Sequence, residues 1–222
     1  MQNVYAQNPN YQEINRRNGI PSSSIFSIAQ RSDGAILMGG TSGMYVYDGK
    51  TFEQLPFQQK PRSGHVFGLQ MLPDESYLFL NAEKHLFHYR QDTIYRFILP
   101  GYAPDFKIEK IHAYCRQPQV VLLEQGSHQL ILWDWINQRI QRRVQVASRI
   151  FTAAIDHDQN VWVVKKDSLC IFTPTGQVVK HYFPEYTSVG FSIRLFCQAH
   201  GRMLFFSGQK GKLFELCNAS LR

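Results

Sequence analysis

One pattern recurs along most of this chain and constrains its fold more than any other feature. Each copy has a short apolar run, a polar turn and a second apolar run, and successive copies begin about forty residues apart. The copies begin at Ile25, Val66, Ile108, Ile150 and Ile193. In the clearest copy the turn is residues 156–158 and the second run is residues 161–164. A period of this length indicates an array of similar units, each of which packs on the next.

Each copy continues with a second turn and two further short apolar runs. In the first copy, Asp48-Gly49 separates the third run from the fourth. Glycine in such a dipeptide accepts the positive φ that a tight hairpin requires. Four short strands joined by hairpins make a sheet with two apolar faces. Sheets of this kind bury both faces by stacking on one another around a common axis. We therefore predict an all-β fold, a β-propeller of about five four-stranded antiparallel blades, with Leu37, Leu78 and Trp162 packed between blades.

The repeat also sets the expected blade boundaries, which are approximately residues 25–57, 66–99, 108–146, 150–183 and 193–222. The fifth copy is expected to have three strands. Residues 11–14 resemble the fourth strand of a blade. They could complete a five-bladed ring, or close a longer ring of which this chain is a fragment. Residues 1–10 fit either a polar tail or the end of a secretory signal peptide, because Val4-Tyr5-Ala6 precedes Gln7.

The chain is basic, with a formal net charge of +7 and an isoelectric point near 9.3. Such a charge could favour phosphates, anionic lipid or acidic glycans. The basic residues are scattered, however, and the densest group is Arg139, Arg142 and Arg143. No Gly-rich phosphate loop or basic helix accompanies them, so we predict solvated strand edges and no nucleic-acid partner. No apolar stretch approaches the length that spans a membrane.

The four cysteines are far apart and include no CxxC pair, which disfavours a zinc site or a thioredoxin-type site. They are Cys115, Cys170, Cys197 and Cys217. We interpret them as buried thiols, and a disulfide stays open if the compartment is oxidising. The sequence predicts no cofactor and no metal site.

Catalytic motifs are also missing from the sequence. It contains no HExxH, no GxSxG and no paired carboxylates. Asp156 and Asp158 flank His157 and could bind a cation, but Asp-x-Asp at a hairpin is far more often turn chemistry. We therefore predict that the chain is not an enzyme. A propeller hydrolase or lyase would instead be distinguished by an acid or metal cluster at the channel.

A binding role has more support. Propeller ligands sit at the channel mouth, on loops that lead into the innermost strand of each blade. The predicted ligand-binding residues at or beside these positions are His65, Lys107, Arg149 and Arg194. Polar groups that converge from several blades could hold a sugar hydroxyl or a carboxylate, and arginine offers bidentate geometry. The alternative is that they form the polar wall of a water-filled channel.

The first repeat resembles a known family. Asn18-Gly19-Ile20-Pro21, then Ser32-Asp33-Gly34, and then Tyr47-Asp48-Gly49 followed by Phe52, resemble the two-component regulator propeller repeat. That repeat reads N-G-L-P, D-G-x-L-W-x-G-T and Y-D-G-x-x-F. The match departs at residues 37–40, where the family has a tryptophan and a single-glycine turn. The fourth repeat keeps Trp162, and the others match only in pattern.

The resemblance implies the periplasmic sensor region of a bacterial hybrid or one-chain histidine kinase. Such regions have a signal peptide in front, and more blades, a β-sandwich, a membrane helix and a kinase behind; their rings commonly have seven blades. The implied function is extracytoplasmic ligand sensing by a fragment of a protein anchored in the inner membrane. The implied partners are a small molecule or oligosaccharide and further domains of the same protein, with homodimerisation left open. The alternative is a free-standing propeller that acts as a protein-interaction scaffold.

Overall fold

The structure is a computed structural model, and it describes residues 19–113, 118–146, 150–165, 168–182, 193–197, 203–207, 212–217 and 220–221, with side chains as far as Val179. In these residues the chain forms five antiparallel sheets of four strands each, which we number as blades 1 to 5 in chain order. All-β architecture built from four-stranded antiparallel blades is what the repeat predicts.

The strands of each blade follow one another along the chain, with hydrogen bonds between consecutive strands. The strands of blades 1 and 2 are β1 (Ile25–Gln30), β2 (Ile36–Gly40), β3 (Gly43–Tyr47), β4 (Phe52–Gln54), β5 (Phe67–Met71), β6 (Tyr77–Leu80), β7 (Leu86–Arg90) and β8 (Thr93–Arg96). Those of blades 3 and 4 are β9 (Ile108–Ala113), β10 (Gln119–Glu124), β11 (Gln129–Asp134), β12 (Arg139–Gln145), β13 (Ile150–Ile155), β14 (Val161–Lys165), β15 (Ser168–Phe172) and β16 (Val178–Tyr182). Those of blade 5 are β17 (Ile193–Cys197), β18 (Met203–Ser207), β19 (Lys212–Cys217) and β20 (Ser220–Leu221).

Blade 3 explains why the strands are apolar at consecutive positions. In β10, Val120 and Leu122 belong to the core shared with blade 2, whereas Val121 and Leu123 belong to the core shared with blade 4. Successive residues of a strand point to opposite faces, so a blade packed between two others needs apolar side chains on both. Each fully buried aliphatic side chain contributes about 1.5–3 kcal/mol. The interfaces between blades are therefore a major source of the stability of the fold.

Blades 1 and 2 approach closely at Gly39 and Gly40, the point where the first repeat departs from the family pattern. A Cβ atom on Gly39 would lie 2.5 Å from Cγ1 of Val66, at the start of blade 2. A Cβ on Gly40 would lie 2.5 Å from Oγ of Ser22 and 2.6 Å from the carbonyl oxygen of Ser24. The carbonyl of Gly40 accepts a hydrogen bond from the Val66 amide at 3.1 Å. Glycine is required here because neighbouring chain segments occupy the space of a side chain.

The innermost strands β1, β5, β9, β13 and β17 lie next to one another in chain order. Polar side chains connect two of these neighbouring pairs. Oε1 of Gln70 on β5 accepts the Ala113 amide of β9 at 3.1 Å. Nδ1 of His112 on β9 accepts the Ile155 amide of β13 at 3.3 Å. Gln70 and His112 are each the second residue from the end of their strand. Blades 2 and 3 therefore make the same kind of hydrogen bond to the next blade with different side chains.

Two details of the repeat differ from the sequence-based expectation. The fifth blade was expected to have three strands, but the two-residue strand β20 pairs with β19 as its fourth strand. Leu37 and Leu78 lie in the cores between blades. Trp162 is buried, and its indole N–H donates to Oδ2 of Asp156 at 2.6 Å within its own blade. Its packing between blades stays a prediction. The proposed tail at 1–10, the proposed closing strand at 11–14 and Cys115 lie outside the described residues.

Three remaining features concern the surface and the composition. Cys170 is a free thiol buried in the core between blades 3 and 4. Arg142 and Arg143 lie on the outer strand of blade 3, where they donate hydrogen bonds to the Thr173 carbonyl at 2.6 Å and the Tyr102 hydroxyl at 3.2 Å. Charged side chains on such an edge strand oppose pairing with another sheet. Among the described residues there is no helix with the length and apolarity needed to cross a membrane.

Candidate functional site

The topology of a blade sorts its loops between two faces of the molecule. In blade 2, β5 begins at one face and ends at the other, and each hairpin reverses the direction. The turn between β6 and β7 therefore lies on the same face as the linkers that enter and leave the blade. We call this the linker face and define it in this region by residues 55–66, 81–85 and 97–107. The turns between β5 and β6 and between β7 and β8 lie on the opposite face.

A cleft of about 410 Å³ opens on the linker face of blade 2. This volume is within the range of small-molecule sites. All three segments of the linker face contribute to its walls, together with side chains from β7 and β8. The lining residues are Gln59, Lys60, Pro61, Arg62, Glu83, His85, Phe87, Arg96, Pro104 and Asp105.

The first wall of the cleft, residues 59–62, follows a firmly anchored stretch of linker. Phe57 packs edge-on against Phe79 and Phe87, with ring centroids 6.3 and 5.5 Å away. The amide of Gln58 donates to the Ile94 carbonyl at 2.9 Å, so the linker pairs with β8. This anchoring fixes where Lys60 and Arg62 enter the cleft.

The second wall is the turn between β6 and β7, which is organised by Asn81. This side chain has no exposed surface. Its Oδ1 accepts the His85 amide at 2.9 Å, while its Nδ2 donates to Oε2 of Glu83 at 3.3 Å and to the Ser63 carbonyl at 3.5 Å. Lys84 takes a φ of +67° to complete the turn. Asn81 thus connects the turn to the first linker and orients the Glu83 carboxylate.

His85 and Glu83 form a pair at the wall of the cleft, with Nδ1 of His85 3.7 Å from Oε2 of Glu83. The pKa of His85 is lowered, first by burial of the imidazole and then by the positive charges of Arg96 and Lys107. The carboxylates of Glu83 and Asp105 oppose this shift without cancelling it. Since an unperturbed histidine has a pKa near 6.5, His85 is mainly neutral at pH 7.

The cations of the cleft are not engaged by carboxylates of the described residues. Lys60, Arg62 and Arg96 form no ion pair there, and Arg96 instead donates to the Pro104 carbonyl. By contrast, Arg31 lies 2.7 Å from Asp33, and Lys84 lies 3.2 Å from Glu109. The cleft thus keeps cationic donors available for a ligand.

Two of the four predicted ligand-binding residues, His65 and Lys107, lie on the linker face, one in each linker. The ring of His65 packs edge-on against Phe67, with centroids 6.0 Å apart, and near Phe26, with centroids 6.1 Å apart. Lys107 lies beside the cleft, close enough to lower the pKa of His85. Arg149 lies outside the described residues, and Arg194 lies on β17 where side chains are not described.

Most residues of the cleft did not emerge from the sequence. Most of its lining comes from two linkers and a turn, so its charged residues are not regularly spaced along the chain. The signal that could have found them is topological, because the turn between the second and third strands of a blade shares a face with its linkers. That rule selects residues 81–85, and with them Glu83 and His85.

The turn of blade 4 that contains Asp156 is built as a hairpin cap. Oδ1 of Asp156 accepts the amides of Asp158 and Asn160, each at 2.9 Å. Its Oδ2 accepts the side-chain amide of Asn160 at 3.0 Å and the indole N–H of Trp162. These four bonds support the turn interpretation over a cation site. Within the described residues, no group of three His, Cys, Asp or Glu side chains could hold a metal ion.

Comparison with known proteins gives matches at the level of structure. Neither a protein-family model nor a curated protein matches the chain. The virginiamycin B lyase of Staphylococcus aureus matches with a TM-score of 0.68 and 13% identity, over 91% of this chain and 70% of that chain. The extracellular domain of the hybrid two-component system BT4673 from B. thetaiotaomicron matches with a TM-score of 0.67 and 16% identity, over 92% of this chain and 28% of that chain. A gluconolactonase, XC5397 from Xanthomonas campestris, matches with a TM-score of 0.60 and 12% identity, over 83% of this chain and 69% of that chain. The predicted propeller fold is thereby confirmed.

The same comparisons correct one prediction. The absence of catalytic motifs led us to predict that the chain is not an enzyme, but the structures that share its fold include a lyase and a lactonase. The reasoning was wrong because residues that meet at one face of a propeller come from loops of different blades. A search for contiguous motifs therefore cannot exclude catalysis. At these identities the likeness shows the fold alone, and it assigns no activity to this chain.

Proposed function

We propose that this chain is the ligand-sensing propeller module of an extracytoplasmic two-component signalling protein. The observation that carries the proposal is the linker-face cleft, which has the volume of a small-molecule site and charged walls from three segments. The likeness of the first repeat to the two-component regulator propeller repeat, and of the fold to the extracellular domain of BT4673, supports the same class. The module lies in the periplasm as part of a histidine kinase anchored in the inner membrane. Its partners are a small molecule or oligosaccharide and further domains of the same protein.

The cleft offers a simple route from binding to signal. A ligand in it contacts residues 55–66, which join blade 1 to blade 2, and residues 97–107, which join blade 2 to blade 3. Binding then favours the arrangement in which both linkers close on the ligand. A ligand shifts an equilibrium only by its difference in affinity for the two states, so the linkers are the elements whose arrangement it biases.

The channel-mouth residues remain part of the proposal. His65, Lys107, Arg149 and Arg194 are proposed contacts for the portion of a larger ligand that extends from the cleft towards the propeller axis. The exposed ring of Phe26 beside His65 offers an apolar face of the kind that stacks on a sugar ring.

The test is thermal unfolding of the protein in the presence of small molecules and oligosaccharides. A ligand at a hundred times its Kd raises the free energy of unfolding by about 2.7 kcal/mol. For a domain of this size, that corresponds to a Tm increase of roughly 5–10 °C. We expect at least one ligand to give such a shift.

Matched double variants locate the effect. Glu83→Gln with Arg96→Gln removes one charge of each sign from the cleft, and Glu75→Gln with Arg90→Gln does the same on the opposite face of blade 2. The first pair should abolish the shift, and the second should retain it. Ligand shifts that survive the first pair unchanged, or a panel that gives no shift, would contradict the proposal.

A further inference from the structure

The charges around the cleft are unevenly matched. Lys60, Arg62 and Arg96 line it, against Glu83 and Asp105. Lys107 adds a positive charge close enough to lower the pKa of His85. The cleft therefore has an excess of positive charge, and its position in a concave surface strengthens the attraction for an anion.

In a second cavity of blade 2, charged side chains pair with one another. This cavity of about 250 Å³ lies on the opposite face. There Arg31 lies between Asp33 and Asp92, with N–O distances of 2.7 and 3.1 Å, and the Tyr89 hydroxyl donates to Asp92 at 2.8 Å. Ser32 donates to Glu75 at 2.6 Å. In the opposite-face cavity Arg31, Asp92 and Glu75 thus have partners within the protein, and Arg90 has no ion pair among the described residues. None of the three cations that line the linker-face cleft has a carboxylate partner in the part of the chain that the structure describes.

The carboxylates of the cleft add a second kind of recognition. Glu83 is held by the side-chain amide of Asn81, which leaves further acceptor capacity on its carboxylate. Carboxylate oxygens accept hydrogen bonds from hydroxyl groups, while guanidinium groups bind oxyanions with paired N–H donors. A ligand that pairs with both the cationic donors and the carboxylate acceptors of the cleft carries an oxyanion on a polyhydroxylated framework.

We propose that the linker-face cleft binds an anionic saccharide, with Arg62, Arg96 and Lys60 around its oxyanion and Glu83 and Asp105 accepting from its hydroxyls. This inference rests on the proposed ligand-sensing function and names the class of ligand. The oxyanion is a carboxylate, a sulfate ester or a phosphate ester, which share the chemistry that guanidinium recognises.

Binding of an anion next to His85 also has a protonation consequence. The groups that act on this imidazole are Arg96, Lys107, Glu83 and Asp105. A bound oxyanion offsets the field of the two cations, so it raises the pKa of His85 and the complex takes up a proton. Binding of a carboxylate or a sulfate ester therefore strengthens as the pH falls from 7.5 towards 6.

The experiment is isothermal titration calorimetry of the whole chain with four probes, two disaccharides and two monosaccharide esters. These are digalacturonate, galactose 6-sulfate, galactose 6-phosphate and neutral galactobiose. We expect one of the three anionic probes to bind at least tenfold more tightly than galactobiose, with affinity that falls as salt is added. The tightest probe then identifies the oxyanion.

Variants separate the inference from the proposed function. Arg62→Gln and Arg96→Gln should each weaken binding of the anionic probe about tenfold, whereas Arg90→Gln on the opposite face should leave it within twofold. Arg96 also donates a hydrogen bond to the Pro104 carbonyl, so Arg62→Gln tests the anion role without loss of that contact.

The outcomes distinguish the ligand class from the sensing function. If galactobiose binds as tightly as the anionic probes, and neither cleft variant weakens its binding, the anionic ligand is overturned and the sensing function is retained. Absence of binding by all four probes would overturn the ligand class. If the broader thermal panel also gave no shift, the sensing function itself would fail.

Discussion

At the scale of single residues, Gln70 and His112 show how one connection between blades is made by two side chains. Each accepts a backbone N–H from the next innermost strand, at 3.1 and 3.3 Å. Glutamine does so at any pH, whereas histidine does so only while Nδ1 is unprotonated. Burial lowers the pKa of His112 to about 4, which keeps this acceptor in place at neutral pH. The two positions therefore differ in their response to acid.

The first prediction concerns the acid response of His112. In the unfolded chain its pKa is near 6.5, and in the folded protein it is about 4. As the pH falls through this window, the unfolded chain takes up the proton first, so the stability contributed by neutral His112 is lost. The expected loss between pH 7.5 and pH 4 is about 3 kcal/mol. His112→Gln keeps an acceptor, as Gln70 does in blade 2, and should remove this contribution.

Urea unfolding at pH 7.5 and pH 4.5 measures this effect. The difference in unfolding free energy between the two pH values should be smaller in His112→Gln than in the wild type by a few kcal/mol. Gln70→Asn, which does not titrate, serves as the control and should leave the difference unchanged. An identical pH dependence in His112→Gln and the wild type would contradict the assignment.

At the scale of elements, stability depends on how closely one blade approaches the next. Gly39 is the tightest such point between blades 1 and 2, and Asn81 is the residue that ties a turn to a linker. Neither residue has an apolar side chain, so neither contributes through burial of a hydrophobic side chain. Gly39 acts by leaving space for Val66 of the next blade, and Asn81 acts through its hydrogen bonds.

The second prediction is that Gly39→Ala is destabilising, because the new methyl group would lie 2.5 Å from Cγ1 of Val66 and 2.8 Å from Oγ of Ser27. Overpacking of this kind costs about 1–3 kcal/mol. Gly64→Ala is the matched control, since its nearest neighbouring atom is 3.8 Å away. Chemical denaturation should show a clear loss for the first and little change for the second. Equal stability of the two variants would mean that the blades are not in contact at Gly39.

The third prediction concerns Asn81, whose side chain is buried and makes three hydrogen bonds. Asn81→Ala should lower the free energy of unfolding by about 1–3 kcal/mol, because buried polar groups are left without partners. It should also weaken ligand binding by misplacing Glu83. Asn137→Ala, in an exposed turn of blade 3, should cost less than half as much in the same unfolding assay. Comparable losses in both variants would show that the turn does not depend on Asn81.

At the scale of the whole molecule, the repeat in the sequence determines the fold but not the site. Blades are predictable because their strands are contiguous, and the runs of consecutive apolar residues follow from packing on both faces, as in β10. The two-residue strand β20 escaped prediction because Ser220–Leu221 is too short to show a period. The cleft was not predicted because most of its charged residues come from loops, where spacing carries no pattern. The ligand-binding role of His65, Lys107, Arg149 and Arg194 stays a prediction from the sequence.

Ligand binding in the linker-face cleft is tested by hydrogen–deuterium exchange of the protein with and without a saturating ligand from the saccharide panel. We expect protection of amides in residues 55–66, 81–85 and 97–107, because a ligand in the cleft contacts all three segments. The turns at 72–76 and 91–92 on the opposite face should exchange as before. Protection confined to those opposite turns, or spread evenly over the blades without enrichment at the linker face, would contradict binding in the cleft.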